Sequence, residues 1–148
     1  MPRGRRLTTE EDFANVVGSM HSVAVLGAKG ADRPHEPATS IPQMLEDRGY
    51  AVVRISPSVA AEGRGVASLA DLDQRVDVLD VFRRPAAIPD HVAEILAMPE
   101  PLRPKVVWLQ TGIRHDEATE ALLEAGIDVV QDACLGVMAS RFGHRPQA

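Results

Sequence analysis

The chain is poor in cysteine, in aromatic residues and in long apolar runs, and each shortage excludes something. A single cysteine, Cys134, leaves no partner for an internal disulfide and no thiolate set for a structural zinc site. One Trp, one Tyr and three Phe leave the core to aliphatic side chains and offer few rings on which nucleic-acid bases could stack. No apolar run approaches the roughly 20 residues that span a bilayer, and the N-terminal MPRGRRLTTEEDF lacks the apolar stretch of a signal peptide. A cytoplasmic protein with no membrane attachment is therefore expected. An excess of base is missing too: 16 Lys and Arg against 21 Asp and Glu leave a net charge of −5, opposite to the footprint of a nucleic-acid binder. Fourteen of the bases are arginine, a residue suited to bidentate phosphate contacts but also enriched by genomic coding bias. What remains is an ordinary globular composition, 45% hydrophobic and 25% charged, in 148 residues that suit one domain.

Short aliphatic runs alternate with helical patterns. Ser22 to Leu26, Ala51 to Ile55, Val76 to Val81, Val106 to Leu109 and Ile127 to Val130 are rich in Val and Ile and bounded by glycine, proline or charge. Most are nearly continuous in apolar character, as strands covered on both faces must be. Thr8 with Glu11 three residues on predicts a capping box and a helix to about Gly18. Further helices are expected at Ser40 to Asp47 with Pro42 in the first turn, Pro85 to Met98, Asp116 to Ala125, and Leu135 to Phe142. The pattern predicts a Rossmann-like, doubly wound α/β domain: a parallel sheet of about five strands with helices on both faces. Residues 1–21 would add a helix packed on the domain, 22–142 the domain itself, and 143–148 a flexible tail that frays.

Such folds bind ligands outside the carboxyl ends of their strands, so the residues after each strand carry the interest. The first turn reads GAKGADRP, in which Gly27 and Gly30 allow close backbone approach to a phosphate and Lys29 and Arg33 could neutralise it. It is not the G-x-G-x-x-G fingerprint, and a plain strand-to-helix turn fits equally well. The second strand ends Arg54-Ile55-Ser56-Pro57 without the acid that a dinucleotide site places against the ribose hydroxyls. A cation and a hydroxyl there suit a phosphorylated ribose, although Arg54 also reads as a surface residue.

Taken together, the VLGA run, DRP at Asp32 to Pro34, SLADL at Ser68 to Leu72, VDVLDVFRRP at Val76 to Pro85, VVWLQTGIRH at Val106 to His115, and AGIDVVQDAC ending at Cys134 resemble the small bacterial coenzyme A-binding proteins. These are similar to the nucleotide-binding domain of the succinyl-CoA synthetase α subunit standing alone. The resemblance spans about Ser22 to Phe142 and implies a Rossmann-like domain with CoA or acyl-CoA lying across the strand ends. It implies that Gly27, Ala28 and Lys29 hold phosphates, assisted by Arg33. It assigns Ser56 and Pro57, which stand where relatives often have Asn-Pro, to the adenosine half. Val81, Phe82 and Arg83 would contact CoA from the third turn, and Gln110 and Gly112 would line the end of the fourth strand.

The synthetase's phosphohistidine machinery lies outside this domain, so the expected role is a non-catalytic binding module. Two alternatives are a small NAD(P)-dependent oxidoreductase and a redox sensor in which Cys134, just after the last strand, reacts with the CoA thiol. A lone cysteine is more often a buried small hydrophobe. His115 beside Asp116 and Glu117 reads best as a helix start, and no histidines pair at metal-ligand spacing, so no metal is expected. Asp77 and Asp80, three apart on an extended chain, do not form a carboxylate pair, and Trp108 is expected in the core.

Overall fold

The computed structural model describes residues 2–144. Strands β1 Ser22–Leu26, β2 Ala51–Ile55, β3 Val78–Val81, β4 Val106–Leu109 and β5 Asp128–Val130 form one sheet in the order β2-β1-β3-β4-β5, every neighbouring pair parallel. The helices are α1 Glu10–Ser19, α2 Pro37–Asp47, α3 Pro57–Ala61, α4 Ile88–Ala97, α5 Asp116–Glu124 and α6 Leu135–Phe142. This is the doubly wound α/β architecture that the alternating pattern predicts.

The near-continuous strands are explained by two separate cores. Successive side chains of a strand point to opposite faces. Ala24, Leu26, Leu79, Val81, Val107 and Leu109 therefore meet one layer, supplied by Ile88, Val92 and Ile95 of α4 and Leu122 and Leu123 of α5. Val23, Val25, Val78, Val106, Trp108 and Val130 meet the other, supplied by Val16 and Val17 of α1, Leu45 of α2, and Leu135 and Ala139 of α6. Both sheet edges are also covered, which removes the open ladder of a bare edge strand. The segment before α1 lies along β5, with the Leu7 N–H donating to the Val129 carbonyl (2.9 Å) and the Val129 N–H to the Arg5 carbonyl (3.0 Å). Val66 does the same for β2, exchanging bonds with Arg54 (2.9 Å) and Ser56 (3.0 Å).

Several boundaries differ from expectation for local reasons. The cap of α1 is Thr9 rather than Thr8, because Asp12 reaches back to the N–H groups of both Thr8 (3.0 Å) and Thr9 (3.3 Å) while the Thr9 hydroxyl accepts from Asp12 (3.1 Å). Strand β3 starts at Val78 because the Asp77 carboxylate is drawn to the N–H groups of His21 (2.8 Å) and Ser22 (3.2 Å). The helix expected from Pro85 is a 3₁₀ turn at Pro85–Ala87 followed by α4. Helix α2 begins at Pro37, leaving Pro42 inside the helix instead of in its first turn. A short helix, α3, follows the second strand where no helix is expected. Order extends to His144, whose Nε2 donates to the Met20 carbonyl (2.7 Å) and whose ring meets Tyr50 edge-on. The rest of the expected tail, residues 145–148, lies outside the described residues.

Candidate functional site

The chain leaves β1 toward β2 on one side and returns to β3 on the other, so the crevice of the doubly wound sheet opens where the β1 and β3 turns part. Gly27 makes the first turn. Its φ of +84° suits glycine, and a Cβ there would stand 2.4 Å from the Phe82 carbonyl of the β3 turn. The two turns thus touch through backbone, and a side chain at position 27 would push them apart.

The rest of the glycine turn is tied down by α2. Pro42 has no N–H to give the Ala38 carbonyl four residues earlier, and the Lys29 N–H takes that acceptor at 3.1 Å. Lys29 therefore offers a ligand its exposed ammonium, not its backbone N–H. Ala28 is buried and packs in the α1/α2/α6 core. Arg33 is drawn to acids, 2.9 Å from Glu36 and 3.9 Å from Asp32. Its part in phosphate binding would require those pairs to open.

In the second turn Ser56 is occupied as the cap of α3, its hydroxyl accepting from the Val59 N–H (3.2 Å), with Pro57 in the first helical position. Arg54 is neither a surface residue nor a free cation for a ribose phosphate. It is buried, and its guanidinium lies 3.0 Å from Glu46 of α2. The end of β2 thus offers no carboxylate for a free ribose and no unpaired base for a phosphorylated one.

The turns after β3 and β4, together with α2 and the start of α6, enclose a largely apolar cleft of about 500 Å³. Its walls are Pro37, Ile41, Phe82, Arg83, Arg84, Pro85, Gln110, Thr111, Ile113 and Cys134. Four of the expected site residues, Phe82, Arg83, Gln110 and Cys134, are brought together here. Val81 is not, since its side chain is buried in the α4/α5 core and leaves only its backbone at the turn. Gly112, at φ +83°, shapes the β4 turn, and its N–H is taken by Asp132 at 2.6 Å. That bond ties the β4 turn to the β5 turn and leaves no donor at Gly112 for a ligand. Cys134 is half-buried on the cleft wall, immediately before α6.

Two supports of this cleft are not assigned by the sequence reading. Arg83 Nε donates to His91 Nε2 (3.2 Å), so the His91 proton sits on Nδ1, 2.5 Å from Glu94. The relay runs from α4 and sets the direction of the arginine. Gln110 donates through Nε2 to Oδ1 of Asp80 at 2.6 Å. Asp80 is fully buried in β3, between Val25 and Trp108 on the neighbouring strands, and its Oδ2 has no partner. Burial pushes its pKa up to about 8 against the opposing pull of the Gln110 amide, so the carboxyl is mostly neutral at pH 7. The signal in the sequence is an acid inside the apolar run VDVLDV.

His115 is the cap of α5, its Nδ1 accepting from the Ala118 N–H (3.0 Å), as a helix start requires. Among the described residues no cluster of His, Cys, Asp or Glu could hold a metal ion, and no helix is long and apolar enough to cross a membrane.

Comparison with known proteins agrees with this fold. The family model described as CoA binding domain matches residues 21–140. The Bacillus subtilis (strain 168) protein YneT is 32% identical over 131 residues, covering 87% of this chain and 93% of that protein. The solved structure of cell-free ID.343 from Thermus thermophilus superposes with a TM-score of 0.81 at 43% identity, covering 91% of this chain and 99% of that one. A version of the PH1109 protein redesigned for binding gives 0.80 at 25% identity, covering 93% and 94%. With a matched segment that contains the whole sheet and every turn at its carboxyl edge, the chain belongs to the CoA-binding domain family.

Proposed function

We propose that this protein is a non-catalytic module, acting in the cytoplasm, that binds CoA or an acyl-CoA across the carboxyl edge of its sheet. The observation that carries this reading is the meeting of the Gly27 turn with the Phe82-Arg83 turn at the mouth of the apolar cleft. A glycine turn with Lys29 beside it suits a diphosphate. A slot walled by Phe82, Ile41 and Ile113, with Gln110 and Thr111 among its few polar groups, suits the pantetheine arm, which is apolar between amides. The residues present therefore fit CoA. They fit a dinucleotide less well, because the fingerprint glycines and the acid after β2 are absent and Arg54 is held by Glu46.

Calorimetric titration of the reduced protein with CoA, NAD and NADP tests this. The expected result is micromolar CoA binding with no dinucleotide binding; preference for NAD or NADP would replace the reading with that of an oxidoreductase. Lys29→Ala and Arg83→Ala together are expected to weaken CoA binding about tenfold or more, since each removes a cation from the phosphate-bearing end. Unchanged affinity in the double variant would move the site elsewhere.

A second reading rests on the position of Cys134. Its thiolate attacking a CoA disulfide would form a Cys134–CoA mixed disulfide and release one CoA thiol, so the loaded protein would report the redox state of the CoA pool. Intact mass measured without reductant after incubation with CoA disulfide would rise by one CoA if so, and Cys134→Ser would show no such adduct.

A further inference from the structure

The glycine turn is in contact with an anion supplied by the protein itself. The Ser56 cap and Pro57 start α3, and the chain leaving α3 carries Glu62 back over the turn. The Ala31 N–H donates to Glu62 Oε1 at 3.3 Å. Glu62 Oε2 lies so close over Gly30 that a Cβ at that position would stand 2.1 Å from it. The same Oε1 is 3.8 Å from the Arg64 guanidinium. A carboxylate on a backbone N–H, over a glycine and near an arginine, has the charge and the donors of a bound phosphate oxygen.

We propose that Glu62 is a specificity-determining residue that occupies the phosphate-receiving face of the Gly30-Ala31 turn, so that only a ligand with phosphate at this point displaces it and engages Arg64. The inference rests on the CoA-binding reading above. On displacement Glu62 swings to solvent, which its position on an exposed turn allows. The Ala31 N–H and Arg64 then pass from the carboxylate to the phosphate. Because the incoming group must replace an existing contact, part of its gain is lost. Ligands without phosphate meet the closed turn and gain nothing there.

Calorimetry on the full chain, wild type, Glu62→Gln and Glu62→Ala, with CoA and with pantetheine as the phosphate-free probe, tests the assignment. Removing the competing charge should tighten CoA binding about threefold to fivefold, the worth of one exposed charged contact, and leave pantetheine binding unchanged. The gain should shrink as salt is raised. Equal CoA affinity in all three proteins would overturn the role of Glu62 while leaving the CoA reading intact. Weaker CoA binding in both variants would make Glu62 a ligand contact and not a competitor. No CoA binding by any of the three would remove both inferences. Thermal unfolding of each variant keeps a folding defect distinct from a binding one.

Discussion

Asparagine in place of Asp80 is expected to make the protein more stable at pH 8 by about 2–4 kcal/mol and to lose that advantage near pH 4. In the folded state burial holds this carboxyl protonated up to about pH 8, whereas in the unfolded chain it ionises at an ordinary value near 3.8. The raised folded-state value means that Asp80 contributes most below the unfolded pKa, and that this contribution drains away as pH rises toward 8. At about 1.4 kcal/mol per pKa unit the drain reaches on the order of 5 kcal/mol by pH 8. Asparagine is neutral throughout, keeps an oxygen for the Gln110 amide, and gives back about 1–3 kcal/mol through an unpaired N–H₂ where Oδ2 has no partner. Urea unfolding of both proteins at pH 4.5, 6 and 8 measures the difference. Stability curves that run parallel across this range would rule out a buried neutral carboxyl at position 80.

Trp108→Ala is expected to destabilise the protein by about 3–5 kcal/mol. The indole is fully buried in β4, its Nε1 donates to the Ala133 carbonyl (2.9 Å), and its ring lies 5.5 Å from that of Phe13 on α1 at a tilt of 53°. Truncation would therefore open a cavity between the sheet and α1 and strand a buried carbonyl just before Cys134. Trp108→Phe keeps most of the volume and should cost about half as much. Far-UV circular dichroism is the proper probe, since Trp108 is the only tryptophan and its fluorescence goes with it. A cost under about 1 kcal/mol for the alanine variant would mean that this position serves something other than packing.

The correspondence between sequence and structure is closest where one element explains itself. The bounds of β1, β2 and β4 and of α6 agree with expectation, because Val- and Ile-rich runs between breakers have one stable use in a sheet covered by helices on both faces. Boundaries moved where a partner distant in sequence intervened. Asp77 left the third strand to bind His21 and Ser22, more than fifty residues away, and Pro42 was accommodated within α2 with Lys29 taking up the carbonyl it could not serve. Gln110 and Phe82 were legible as edge residues because they directly follow strands. The anchors behind them were not: Asp80 behind Gln110, and His91 behind Arg83, are set by packing across strands and from α4.

By itself the sequence determined the class of fold, the sheet edge that carries the candidate site, and the family. Periodicity, strand-end turns and motif spacing are local properties of the chain, and the short aliphatic runs have few ways to be buried. Tertiary structure decided which of the remaining groups are free. Arg54 at the end of β2 is matched by Glu46 of α2, and Glu62 covers a backbone donor that the glycine spacing offers, whereas Arg33 and Ser56 are committed locally, to Glu36 and to the Val59 N–H three residues on. Electrostatic pairing depends on distance in space and on local burial, and residues 31 and 62, or 80 and 110, become neighbours only when the sheet order β2-β1-β3-β4-β5 closes them together.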